Sequence, residues 1–175
     1  SLQEVKDAIS TLKNKACGID LVEAVALKAG KDVFAPWLKR IIDSGWHKSE
    51  KRIPGIWKVA ILQYLHKKGD KLDKDNYRGI SLLSVPGKVY SRVLYNRLQP
   101  KLEENLLDLQ CGFRPGRGCS DQLHTMRRLA EISTLHNSPL YLCLVDLKKA
   151  FDWVQRKALW HILPKYGISE TLMQA

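Results

Sequence analysis

An acidic residue placed directly after a β-prone run is the first feature of this sequence that could do chemistry. The apolar stretch 140–145 leads into Asp146, and five residues beyond it stands an aromatic ring, Phe151, followed by a second acid, Asp152. An apolar strand is buried on both faces, and a carboxylate at its exit is costly unless a cation or hydrogen bonds satisfy it. The carboxylates that bind Mg²⁺ are often placed at the end of a buried strand, because the strand fixes their position. In isolation, a strand-end turn residue or a helix N-cap is the simpler interpretation of Asp146.

Two basic segments could bind phosphate groups. The stretch 65–81, "LHKKGDKLDKDNYRGIS", gathers four lysines and Arg78 between β-like runs, as at a hairpin tip. Lysine binds phosphate as a point charge and arginine binds it as a fork. The stretch 110–122, "QCGFRPGRGCSDQ", sets Arg114 and Arg117 among glycines ahead of a helix, which suits an anion. A solvated hairpin tip and an ordinary turn-rich loop are the simpler alternatives.

Composition narrows the class of protein. The 175 residues carry 29 Lys+Arg against 18 Asp+Glu, a net charge of +11, and are 45% hydrophobic. The hydrophobic share predicts a packed globular chain, and the excess of basic residues favours a polyanionic partner, most often nucleic acid, with an anionic membrane surface second. A basic soluble protein without such a partner is the simpler alternative. No apolar run approaches the ~20 residues of a membrane span. The four cysteines form no zinc-ligand pattern, and without a secretory signal they indicate a reducing compartment.

The elements that must position these residues follow from periodicity and caps. Ser1 and Glu4 form a capping box ahead of a first helix. We predict further helices over about 21–29, 33–46, 86–98, 120–135 and 153–163. Pro100 is expected to end or kink the helix that begins near residue 86, and Asp152 is expected to cap the helix over 153–163. A final helix is expected near 169–175. Strands are predicted over 57–65 and 140–146, and residues 80–85 form a strand or a short extended segment.

Five motifs occur in succession: "WKVAILQYLHKKGD", "NYRGISLL", "KVYSRVLYNRL", "QCGFRPGRGCSDQ" and "VDLKKAFD". In this order they resemble the reverse transcriptase of LINE-type, non-LTR retrotransposons, most densely from Trp57 to Gly167. The resemblance implies the fingers and an incomplete palm of a right-hand polymerase, with an α+β, mostly helical fold. It places the N-terminal extension and fingers in residues 1–138 and the partial palm in residues 139–175.

The resemblance also implies roles for single residues. Asp146 matches the first catalytic aspartate, which holds two Mg²⁺ ions, and Leu147 offers its carbonyl beside it. Phe151 matches the aromatic gate that rejects a ribose 2′-hydroxyl on the incoming dNTP. Lys67 and Arg78 match the residues that hold the triphosphate. The template path is matched by three residues of the glycine-rich segment: Gln110, Phe113 and Arg114.

The family's second aspartate motif, Tyr/Phe-x-Asp-Asp, does not occur in these residues, and neither the rest of the palm nor the thumb is recognisable. Because two metal ions need several carboxylates, we predict that this chain alone is inactive and is part of a longer polymerase. The resemblance implies template RNA and a DNA primer as partners, and an endonuclease domain is a further expected part of the parent protein. The implied location is intracellular, in nucleus and cytoplasm. A non-catalytic nucleic-acid-binding remnant is the alternative. An unrelated helical interaction module fits five collinear motifs poorly.

Overall fold

The computed structural model describes residues 1–47 and 53–174, and of His47 it describes only the backbone. The basic segment 47–55, "HKSEKRIPG", is predicted from its sequence to be a loop after the third helix, and most of it lies outside these residues. The described chain divides into two compact units, unit 1 with Ser1–Leu98 and Glu170–Ala175, and unit 2 with residues 99–169. Its helices and strands are α1 (Leu2–Ser10), α2 (Ala24–Ala29), α3 (Lys31–His47), β1 (Ala60–His66), β2 (Tyr77–Leu83), α4 (Val85–Glu103), α5 (Cys119–Leu135), α6 (Arg156–Ile162) and α7 (Glu170–Met173).

The first helix begins as its capping box predicts. The Ser1 hydroxyl accepts a hydrogen bond from the backbone N–H of Glu4, and the Glu4 side chain bonds back to the amino group of Ser1. Glu4 also receives two hydrogen bonds from Arg97 of α4, at 2.8 and 3.0 Å. The pKa of Glu4 is lowered to about 2, mainly by the hydrogen bonds from the Arg97 guanidinium. The same guanidinium lies over the Trp46 ring. The carboxylate therefore stays charged at neutral pH and ties α1 to α4.

The core of unit 1 lies where the apolar sides of the first four helices meet. Apolar residues spaced three or four apart lie on the same face of a helix, so these faces can pack together and become buried. The buried members are Val5, Ala8, Ile9, Ala24, Leu27, Ala35, Leu38, Ile42, Val85, Val89, Tyr90 and Val93. The sequence predicts that five apolar residues share one face of α3, namely Phe34, Trp37, Leu38, Ile41 and Ile42, but only part of this face is covered. Leu38 and Ile42 are buried there, whereas Phe34, Trp37 and Ile41 are exposed.

The two strands form an antiparallel hairpin, which together with the helices confirms the α+β class. Ala60 pairs with Leu83 at one end of the ladder and His66 pairs with Tyr77 at the other. Every residue of β1 is exposed, and β2 is exposed or half-buried along its length. The hairpin is therefore held together mainly by its own ladder, and the residues that flank its base, Trp57 before β1 and Ser84 after β2, are the ones packed against the core.

The junction between β2 and α4 is closely packed. Ser84, fully buried, donates a hydrogen bond to a carboxylate oxygen of Asp20 at 2.6 Å and accepts one from the N–H of Gly87 at 3.2 Å. The second bond caps α4, since it satisfies a backbone donor of the first turn. Gly18 lies against the same backbone, and a Cβ atom on it would stand 2.5 Å from the Ser84 nitrogen. Only glycine fits this approach.

Unit 2 has almost no core of its own. Of residues 99–169, only Cys111 and Ile168 are buried, although the unit includes the 17-residue helix α5 and the apolar run that begins at Leu140. Large apolar side chains such as Leu123, Leu144 and Trp153 are exposed. Hydrogen bonds therefore contribute more to the order of this unit than burial does. Within the described residues, no helix is both long and apolar enough to cross a membrane.

The predicted strand over 140–146 is absent. Residues 138–147 form neither helix nor strand, and residues 141–147 are exposed throughout. A strand exists through its hydrogen bonds to a neighbour, and the only ladder among the described residues joins β1 to β2. The β-prone composition is present, but within the described chain this segment has no strand to pair with.

Two predicted helix boundaries were also wrong. Helix α4 continues past Pro100 and ends at Glu103. Proline removes one hydrogen bond near the end of a long helix that core packing already holds, so it does not stop the helix at once. The helix after Asp152 begins later than predicted, with Gln155 at its N-cap, because residues 148–153 form turns.

The close approach of Gly18 to the β2–α4 junction gives a stability prediction. Gly18→Ala should lower the free energy of unfolding by about 1–3 kcal/mol, because the added methyl meets backbone atoms that cannot move aside. Gly55→Ala is the matched control, since a Cβ atom there meets nothing within 4 Å. Urea denaturation of the 175-residue chain followed by circular dichroism measures both, and equal effects of the two substitutions would contradict the proposed packing.

Candidate functional site

The hairpin brings Lys67 and Arg78 to the same face. Arg78 pairs with Leu65 in the ladder. The N–H of Lys67 donates to the carbonyl of Asn76 at 2.8 Å, which extends the ladder by one pair. Pairs two residues apart along a ladder share a face. The two cationic side chains are therefore diagonal neighbours at the end of the hairpin next to the turn. Both are exposed, and among the described residues neither takes part in an ion pair.

The acids interleaved with the tip lysines serve the turn itself. A carboxylate oxygen of Asp70 accepts the N–H of Leu72 at 2.9 Å, and one of Asp73 accepts the N–H of Asp75 at 2.9 Å. These are the local bonds by which aspartate fixes a turn. Residues 67–78 carry five Lys and Arg against three Asp, so the hairpin end has a net positive charge, and among the described residues these acids form no ion pair with the tip lysines.

The described residues around Asp146 do not form a metal centre. Asp146 and Leu147 are exposed, and in the described part of the chain the Asp146 carboxylate makes no hydrogen bond or ion pair. No group of three or more His, Cys, Asp or Glu side chains that could hold a metal ion occurs in residues 1–47 and 53–174. One carboxylate and one carbonyl do not satisfy two Mg²⁺ ions. The assignment of Asp146 and Leu147 as metal ligands stays a prediction.

The glycine-rich loop is organised by Arg114. Its guanidinium donates to the carbonyls of Leu107 and Gln110, at 2.8 and 3.1 Å, and to one carboxylate oxygen of Glu103 through both Nε and Nη2. The Arg114 side chain is only 7% exposed. Its bonds to Glu103 lower the pKa of that carboxyl. A guanidinium engaged four times within its own loop acts first as a clamp, and its assignment to the template path stays a prediction.

The same loop is fastened at its second end by α5. The Gln122 side-chain amide donates to the carbonyl of Leu109 at 2.7 Å and contacts the buried sulfur of Cys111 at 3.1 Å. The Gln110 side chain donates to the carbonyl of Gly112 at 3.1 Å. Arg117, by contrast, is 40% exposed and has a single long contact of 3.3 Å with Asp108. Of the two loop arginines, Arg117 is therefore the freer one.

Two aromatic rings predicted for different tasks lie together in unit 2. The Phe113 and Phe151 rings are 6.2 Å apart between centroids and nearly perpendicular, at 88°. Both are exposed, by 91% and 81%.

Lys67 and Arg78 belong to unit 1, whereas the other predicted site residues belong to unit 2.

Several structurally important residues carried no motif that marked them. Glu103, the partner of Arg114, looks like one more acid at the end of a basic helix. Ser84 was detectable in principle, because a serine two residues before a proline that opens a helix is a common N-cap arrangement. Asp20, which accepts the Ser84 hydroxyl, lies 64 residues away in sequence, and no local pattern links the pair.

Comparison with known proteins identifies the family. The family model described as reverse transcriptase (RNA-dependent DNA polymerase) matches residues 65–175. The chain is 31% identical over 170 residues to an RNA-directed DNA polymerase from the mobile element jockey of Drosophila melanogaster, which covers 92% of the chain and 17% of that protein. It is 29% identical over 168 residues to a 149 kDa protein of transposon TX1 of Xenopus laevis, covering 95% of the chain and 13% of that protein.

The chain belongs to the reverse transcriptase family. Within that family its relatives are those of LINE-type, non-LTR elements, since a 115 kDa protein of the type-1 retrotransposable element R1DM of Drosophila melanogaster is also 30% identical, over 95% of the chain. This confirms the resemblance drawn from the five motifs. The chain spans about a sixth of the length of the relatives it matches.

The Arg114 clamp predicts how the loop responds to substitution. Arg114→Lys should make amide hydrogen exchange in residues 105–113 roughly tenfold faster, because one ammonium cannot replace the four contacts of the guanidinium. Arg117→Lys, with only one long contact to lose, should leave exchange unchanged. Mass-spectrometric hydrogen exchange of the 175-residue chain measures both, and a loop that is equally protected in both variants would contradict the clamp.

Proposed function

We propose that this chain is part of the RNA-directed DNA polymerase of a non-LTR retrotransposon and supplies surfaces that bind the incoming dNTP, the RNA template and the DNA primer. The observation that carries the proposal is the cationic end of the hairpin, where Lys67 and Arg78 share one face without an ion pair among the described residues. A triphosphate is a polyanion that such a pair can bind, with lysine as a point charge and arginine as a planar fork.

The family context supports the same assignment. The chain belongs to the reverse transcriptases, and phosphoryl transfer depends on cations that hold the triphosphate while the reacting groups are positioned. In the complete enzyme, Asp146 and the carbonyl of Leu147 would contribute to the binding of Mg²⁺, which would neutralise charge on the phosphates. The ring of Phe151 would lie against the sugar, and Gln110, Phe113 and Arg114 would belong to the loop along the template.

The metal chemistry requires residues beyond these. The donors that the described residues offer near Asp146 are too few for two Mg²⁺ ions. We propose that further carboxylates come from another part of a longer polymerase, whose palm would also supply the strand that residues 140–146 lack here. The exposed apolar side chains of unit 2 fit this proposal, since they would be covered by the remainder of such a protein.

The remaining expectations follow from this proposal. An RNA-directed polymerase of a mobile element would work inside the cell, in a ribonucleoprotein found in cytoplasm and nucleus. An endonuclease domain elsewhere in the parent protein would prepare the target DNA.

A primer-extension assay tests the catalytic part. The 175-residue chain, given an RNA template, a DNA primer, dNTPs and Mg²⁺, should give no templated extension. A chimera in which residues 1–175 replace the matching segment of the jockey polymerase should extend the primer, and Asp146→Asn should reduce its rate by about a thousandfold or more, because a metal ligand is lost. Extension by the isolated chain would contradict its predicted inactivity.

A non-catalytic nucleic-acid-binding remnant is the second candidate. It is favoured by the excess of basic residues combined with the absence of a metal-binding cluster from the described residues. A remnant would bind RNA or DNA with a steep salt dependence, and the chimera would then be inactive with Asp146 intact.

The hairpin assignment gives a kinetic prediction. In the chimera, Arg78→Ala should raise KM for dNTP by about tenfold or more while the affinity for primer–template changes little, because a charged contact to the triphosphate is removed. Lys74→Ala is the matched control, since Lys74 lies in the 3₁₀ turn of the tip, outside the paired strands. Steady-state kinetics with varied dNTP measure both, and an unaltered KM for Arg78→Ala would count against the assignment.

A further inference from the structure

The contact between Phe113 and Phe151 joins a loop residue to the predicted sugar gate. The two rings meet edge to face at 6.2 Å, an arrangement that aromatic quadrupoles favour. Thirty-eight positions separate them in sequence, so the contact fixes the glycine-rich loop against the turn that follows Asp146. Both residues lie in unit 2.

The backbone at Phe113 is held in a conformation that a phenylalanine rarely adopts. Its φ angle is +61°, in the left-handed region, which costs an L-residue with a bulky side chain about 1–2 kcal/mol and favours glycine. Although this conformation favours glycine, the position after Gly112 carries a phenylalanine, and its ring is 91% exposed. Strain of this kind persists where surrounding contacts enforce it, and it concentrates at functional sites.

The surrounding contacts here are those of the Arg114 clamp. Arg114, the next residue, ties the loop to Glu103, Leu107 and Gln110. Because the clamp fixes the backbone directly after Phe113, the ring projects from an ordered base. Phe151, by contrast, lies in a turn whose side chains are exposed. Among the described residues, Phe113 is the only aromatic residue whose ring contacts the Phe151 ring.

We infer that Phe113 is a specificity-determining positioning residue, whose ring braces the Phe151 ring at the sugar of the incoming nucleotide. This inference rests on the proposed function, because it needs Phe151 to be the gate. It gives Phe113 a task beyond the template path. A gate excludes a 2′-hydroxyl only if its ring cannot rotate or shift away, and a second ring against its face or edge limits that movement. Phe113 acts through Phe151 and does not itself touch the sugar.

Fluorine NMR tests the contact without any catalysis. The chain has three phenylalanines, Phe34, Phe113 and Phe151, so labelling with 4-fluorophenylalanine gives one signal for each. Phe113→Leu should remove one signal and shift that of Phe151, because the ring current of its neighbour is lost, while the signal of Phe34 in unit 1 stays in place. Leu109→Ala is the matched control, a 77% exposed residue of the same loop without a ring. A Phe151 signal that does not respond to Phe113→Leu would overturn the inference.

Sugar selection in the jockey chimera tests the consequence. The ratio of kcat/KM for dNTP to that for the matching ribonucleotide is independent of how much enzyme is folded. Phe113→Leu should lower this ratio by about two- to tenfold, the range expected for loss of one aromatic pair. Phe113→Tyr, which keeps the ring, should preserve it. Phe151→Val should lower it further, and adding Phe113→Leu to Phe151→Val should have little extra effect, since the two residues act as a unit.

The outcomes separate the two proposals. If Phe151→Val admits ribonucleotides and Phe113→Leu leaves the ratio unchanged, Phe151 is the gate and Phe113 does not brace it. If Phe151→Val leaves the ratio unchanged, the gate assignment within the proposed function is wrong, and the inference about Phe113 falls with it.

Discussion

The hydrogen bond between the buried Ser84 hydroxyl and Asp20 is the interaction on which the arrangement of unit 1 depends. Ser84 ends the hairpin, caps α4 and receives the loop that carries Gly18, all at one fully buried position. The hairpin is largely exposed, and it is anchored at its base, where β1 begins and β2 ends. At the same base, ahead of β1, Trp57 is packed against the core, with its ring 6.0 Å from that of Tyr90. The placement of a cationic hairpin tip thus depends on contacts far from the tip.

Unit 2 shows the opposite balance between burial and hydrogen bonding. With only Cys111 and Ile168 buried, it relies on side chains that bond to loop carbonyls, above all Arg114 and Gln122. Such bonds define a local shape precisely but contribute little net free energy each. Large apolar side chains of the unit remain exposed beside this ordered loop in sequence, and the chain spans about a sixth of the length of the relatives it matches.

Local patterns predicted the helices well and the strands unevenly. The capping box at Ser1 and the apolar stripe of α4 carry their structural information within a few residues, so α1 and α4 form near where they were expected. A strand is specified by its partner as much as by its own composition. A connection of ten residues brings β2 alongside residues 60–66, whereas residues 140–146, although rich in β-prone residues, pair with no other described segment.

Five ordered motifs in one chain were enough to assign the family, and with it the expected roles of Asp146, Phe151 and Arg78. Which of these residues meet could be seen only in the folded chain. It placed Lys67 and Arg78 on one hairpin face, engaged Arg114 with Glu103, and set Phe113 against Phe151. Motifs record residue types along the chain, whereas these contacts depend on hydrogen-bond geometry and backbone angles between positions up to tens of residues apart, which no local pattern contains.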